Sequence, residues 1–113
     1  MTLPSPYAAA LTALLSAAAA PAALGADTQP PPFAAGDAAA GKAMVDSDCV
    51  ACHEQRFGTA DKVYLRADRR VRTPAQLLAQ IQRCDAQLGK SHFPEEEEHI
   101  AAYLNLSYYR FKP

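Results

Sequence analysis

Cys49, Val50, Ala51, Cys52 and His53 form a C-x-x-C-H string. Two thiols at this spacing sit one helical turn apart, close enough to add across the two vinyl groups of a single haem. The histidine beside the second thiol can then swing under the ring and bind iron axially, a common proximal role for imidazole. The string predicts one covalently bound haem c, attached through Cys49 and Cys52, with His53 on the iron. Three other readings use the same residues. A dithiol redox site usually lies beside a βαβ pattern, and none is visible here. A structural zinc site needs further ligands and usually a second cysteine pair, and the chain adds only Cys84, His92 and His99. A disulfide between Cys49 and Cys52 is the plainest alternative.

Three helices are expected to position this string. The first runs from about Ala38 to Asp46 behind Asp37 as N-cap and ends just before Cys49. The second opens on the capping box Thr73-Pro74-Ala75-Gln76, with Thr at N-cap, Pro at N1 and Gln at N3. Leu77, Leu78, Ile81, Cys84 and Leu88 then share one face, and Gly89 is a natural terminator. The third starts at Pro94, with Glu95 to Glu98 in its first turn, where the helix dipole favours negative charge. Ile100, Tyr103 and Leu104 form its apolar stripe; it should end over Asn105 to Ser107, leaving Tyr108 and Tyr109 to pack. Between the first two helices, Glu54 to Arg72 has no strand pattern and reads as an irregular loop. The fold class expected is all-α, a small domain of about three helices around one haem.

The 113 residues bound the chain to one domain. A body this small often needs a staple, and a haem supplies a large apolar surface for short helices to pack on. The formal net charge of −1 gives no electrostatic case for a nucleic-acid partner. Residues Tyr7 to Leu24 are apolar, Ala-rich and uncharged, and small residues at Ala23, Gly25 and Ala26 precede the polar turn at Asp27. This predicts a signal peptide over 1–26 and a periplasmic product, although no Lys or Arg precedes the apolar run. Pro21 interrupts that run, and Ala anchors poorly in lipid, so no stable membrane insertion is expected after cleavage. Residues 27–36, with Pro30, Pro31 and Pro32 in succession, read as an extended linker, and 37–113 as the folded domain.

Taken together, Gly41-Lys42-Ala43-Met44, the Cys49-x-x-Cys52-His53 string and the late helix through Ile100-Ala101-Ala102-Tyr103-Leu104 resemble class I cytochromes c over roughly 37–106. The resemblance implies that the first and last helices cross closely, with Gly41 and Tyr103 at the matching positions. It implies a one-electron carrier, not an enzyme, that works with redox partner proteins. The sequence departs from the family in two places. No proline lies between His53 and Pro74, so the Gly-Pro whose backbone orients the proximal histidine is missing. The only methionines are Met1 and Met44, both before the haem string, so distal Met ligation is not carried over.

The sixth iron position has several candidates. His92 stands first, because it lies between the second and third helices, where the resembled family places its distal loop. An open site comes next, then Cys84 on the apolar face of the second helix, then His99 beside charged residues. A missing distal Met keeps a second function in view, a high-spin haem protein that binds a diatomic ligand. A third is a haem subunit of a larger oxidoreductase. Lys62, Arg66, Arg69, Arg70 and Arg72 make a basic stretch suited to haem propionates or to an acidic partner.

Overall fold

The computed structural model describes residues 1–2 and 29–113. The expected signal peptide, beyond its first two residues, lies outside the described residues, as do positions 27 and 28 of the linker. Among the described residues every regular element is helical: α1 (Ala38–Asp48), α2 (Val50–Phe57), α3 (Lys62–Leu65), α4 (Pro74–Leu88), α5 (Pro94–Leu104) and a π turn (Asn105–Tyr109). No helix among them is long and apolar enough to cross a membrane.

α1 begins where Asp37 accepts the amides of Ala39 and Ala40, at 2.8 and 3.1 Å. It runs through Asp48, two residues beyond the expected end. Gly41 and Val45, one turn apart, form its buried face, which crosses α5. A Cβ on Gly41 would overlap the His99 carbonyl, so the two backbones touch there. The glycine therefore meets α5 main chain, while Tyr103 stands half-buried edge-on to Tyr108. His99 is not free at the surface, because its Nδ1 accepts the Asp37 amide at 2.9 Å.

α4 starts at Thr73, whose hydroxyl accepts the Gln76 amide at 3.2 Å. The return bond from Gln76 Oε1 goes to the Arg72 amide, at 2.8 Å, one residue before the N-cap. Gly89 ends the helix in the left-handed region at φ 65°. α5 is capped by Glu96, which accepts the Phe93 amide at 2.8 Å. Its expected end is instead a change of pitch. The Arg110 amide reaches back to the Asn105 carbonyl, and buried Asn105 accepts the Phe111 amide at 2.7 Å through Oδ1. This wide turn carries Tyr108 and Tyr109 onto α3.

Val45, Tyr64, Val71, Leu77, Ile81, Ile100, Ala101, Leu104 and Tyr109 make one core. Leu77 and Ile100 are its most completely buried large side chains, each worth roughly 1.5–3 kcal/mol in transfer from water. The expectation of about three helices undercounts. The C-x-x-C-H string itself starts a helix, and the segment expected to be irregular contributes the rest of α2 and all of α3. Part of the expected linker also belongs to the body: residues 32–35 form a turn, and Phe33, at φ 63°, packs against the core.

Candidate haem site

Cys49 occupies the junction between α1 and α2, with a near-helical backbone. Its amide bonds the Val45 carbonyl, and its own carbonyl accepts the His53 amide at 3.2 Å, so the chain passes through without a break. The i, i+4 spacing then sets Cys49 and His53 on one side, and both open onto a cavity of about 390 Å³. That volume lies within the range of small-molecule and cofactor pockets. Cys52, half-buried on the same helix, is not on its wall.

The rest of the wall divides into two kinds of surface. Leu77, Ile81, Ile100 and Leu104 make it apolar, while Arg66, Arg69 and Arg70 supply positive charge. Arg66 pairs with Asp68 at 2.7 Å, and Arg69 Nη1 donates to the Tyr64 carbonyl at 3.1 Å. The Arg69 guanidinium also lies 5.2 Å from the centre of the Tyr109 ring. Arg69 Nε is buried without a hydrogen-bond partner among the described residues. A buried charged donor in that state is costly unless an acceptor reaches it, and a carboxylate is the acceptor guanidinium fits best. Lys62 and Arg72, grouped with these arginines in the sequence, do not line the cavity.

His53 is half-buried, and burial, helped by nearby Arg56, lowers its pKa, so the ring is neutral and able to bind metal. Its Nδ1 lies 2.9 Å from the Tyr64 hydroxyl, which leaves Nε2 as the free ring nitrogen. Burial, with smaller contributions from Cys84 and Asp48, pushes the Cys49 thiol up to about 11. A dithiol redox centre needs a ready thiolate, and this environment opposes one. The three thiols are unbridged.

His92 does not line the cavity. Its Nδ1 lies 2.9 Å from both oxygens of Asp85, and its Nε2 lies 3.2 Å from Asp48 Oδ2. Lys90 adds an ion pair to Asp48 at 2.9 Å. To reach iron, His92 would have to give up both carboxylates, which is the physical objection to the first sixth-ligand candidate. Cys84 and Asp85 do stand on the wall. Asp85 was missed in the sequence, yet its place is legible there: it follows buried Leu77 and Ile81 at steps of four. Leu88, expected on that face, is exposed. Tyr64 carried no comparable signal. Met44 packs against the core on α1, away from the cavity wall.

The Asp85–His92–Asp48 chain ties α4 to the residue just before Cys49. Desolvation opposes charge on His92, but the hydrogen bonds and charges of Asp85 and Asp48 outweigh it and raise its pKa above the ordinary 6.5. The stabilisation from this pair is complete below pH 6.5 and fades as pH climbs through the folded value. Lys90 chiefly holds Asp48 below the ordinary 3.8, so its share is present above that pH and fades as pH falls through the folded value. Thermal melts of the parent should lose midpoint from pH 6.5 upward, and a His92→Gln variant should lose that slope. Equal slopes in the two proteins would show that the network does not titrate with folding.

Comparison of the chain with protein-family models, with curated proteins and with solved structures returns no match.

Proposed function

We propose that this chain is an exported haem c protein of the class I cytochrome kind, a periplasmic carrier of single electrons between redox proteins. The observation that carries the reading is the shared opening of Cys49 and His53 onto one cavity, part of whose wall is apolar and part lined by arginines. Cys49, His53 and the arginines on the wall support a haem there, and Cys52, off the wall, would have to turn to join it. Cys49 and Cys52 would hold it by thioethers, and His53, with Nε2 free, would bind its iron. Arg66, Arg69 and Arg70 would offer donors to the propionates, and Leu77, Ile81, Ile100 and Leu104 would give the ring apolar contact. Bound there, haem supplies a one-electron ferrous–ferric couple. Exposed Arg66 and Arg70 at the cavity rim give an acidic partner a place to approach. The test is extraction of protein from an exporting bacterial host with acid and organic solvent. Haem that stays with the polypeptide supports the proposal; haem that leaves with the solvent, or protein without haem, ends it.

One observation favours a second reading. His92 is held off the wall by two carboxylates, and no methionine lines it, so of the candidate sixth ligands only Cys84 stands on the wall. An open or weakly held position would bind a diatomic ligand such as carbon monoxide or nitric oxide. Ferrous spectra of the parent and of Cys84→Ser separate the cases. A six-coordinate low-spin parent that turns high-spin on losing Cys84 makes the thiol the sixth ligand of a carrier. A parent that is already five-coordinate, unchanged by the substitution, makes this a ligand-binding protein.

A further inference from the structure

We propose that Tyr64 is the positioning residue of the iron ligand: its phenol oxygen accepts a hydrogen bond from His53 Nδ1–H and so fixes the ring with Nε2 as the nitrogen left to bind. This rests on the haem reading above.

An imidazole that binds a metal through one nitrogen carries a proton on the other, and that proton needs an acceptor to hold the ring's tautomer and direction. The hydrogen-bond partner of His53 Nδ1 is the Tyr64 hydroxyl, at 2.9 Å. The rings meet edge to face, with centres 5.4 Å apart and planes at 77°. Tyr64 is only 6% exposed, so water does not readily replace it. The phenol is itself held in place. Tyr108 lies against its ring at 4.8 Å and 32°, and Tyr109 stands edge-on at 6.0 Å. Arg69 ties down its carbonyl.

Each of these supports has a sequence cause already described. The π turn after α5 delivers the two tyrosines, and the short α3 presents Tyr64 to α2. A neutral phenol draws less electron density onto the imidazole than a carboxylate would, so the oxidised iron gains less from this histidine. The absence of a proline after His53 leaves the role to a side chain eleven residues on.

The experiment uses the oxidised, haem-loaded protein and proton NMR. The His53 Nδ1 proton, shifted by the paramagnetic iron, should exchange slowly with deuterium in the parent. In Tyr64→Phe, which keeps the ring and removes the oxygen, exchange should be about tenfold faster. The midpoint potential should move upward at the same time, because the ligand donates less. Tyr108→Phe, in the same aromatic group but without contact to His53, should change neither readout. Rapid exchange in the parent overturns the proposal without any variant. So does a Tyr64→Phe protein with parental exchange and potential, or a Tyr108→Phe protein that matches Tyr64→Phe. Acid extraction of the same parent sample separates the two levels. A parent without covalent haem removes the haem reading and this inference with it, whereas a loaded parent with unaffected Tyr64→Phe removes this inference alone.

Discussion

Protein matured in an exporting host with Cys49→Ala and Cys52→Ala together should carry no haem through acid and organic solvent, against about one per chain in the parent. The single variants should each keep one thioether. Their alkaline pyridine spectra should shift to the red of the parent, because one vinyl group stays conjugated with the ring. The structure adds a condition on timing. Burial holds the Cys49 thiol near a pKa of about 11, and Cys52 lies off the cavity wall. On the haem reading, attachment should therefore precede the closure of α1 and α2 on the junction. Haem added to folded, unloaded protein should stay extractable, and thioethers formed readily under those conditions would contradict the timing. The double variant should also melt well below the parent, since it lacks the large apolar body on which the short helices of so small a domain would pack. Full retention of solvent-resistant haem in the double variant would remove the attachment site altogether.

What was legible in the sequence was local. Helix α4 is written by Thr73, Pro74, Gln76 and Gly89, whose effects act within one turn, and the chemistry proposed for the C-x-x-C-H string likewise rests on five consecutive residues. The close approach of the first and last helices was also expected, though Gly41 turned out to meet the α5 backbone instead of Tyr103. What was not legible depends on partners far apart in the chain. His92 looked like a free imidazole until α1 and α4 brought Asp48 and Asp85 to its two nitrogens. Tyr64 sits in a stretch without periodicity, and only the π turn gives it a wall to stand against. That turn could not be read from hydropathy, because a buried side-chain amide, Asn105, sets how the helix ends. Asp85 was passed over by residue type although its spacing marked it as inward.

Gly41→Ala should lower the melting midpoint by about 8–16 °C, corresponding to roughly 2 kcal/mol in a body of this size. Intrinsic helix preference points the other way, since alanine is better than glycine in a helix interior by about 1 kcal/mol. The sign is decided by what the new methyl group meets. At Gly41 it overlaps the His99 carbonyl and crowds the Ile100 amide. Both are main-chain atoms of α5, so no side-chain rotation relieves the contact, and the helices must part. Overpacking of a tight interior costs about 1–3 kcal/mol, and a backbone obstacle places this site at or beyond the upper end. Parting α1 from α5 also moves Cys49, which follows α1 directly, relative to Ile100 and Leu104 on the cavity wall. The variant should therefore show a shifted haem spectrum as well as a lower midpoint. Gly89→Ala is the fitting contrast. Nothing lies within 4 Å of a Cβ there, so only the left-handed backbone, at φ 65°, costs about 1–2 kcal/mol, and the haem spectrum should not move. If both variants melt alike with parental spectra, the α1–α5 crossing is not the tight contact described, and Gly41 is in the sequence for some reason other than close approach.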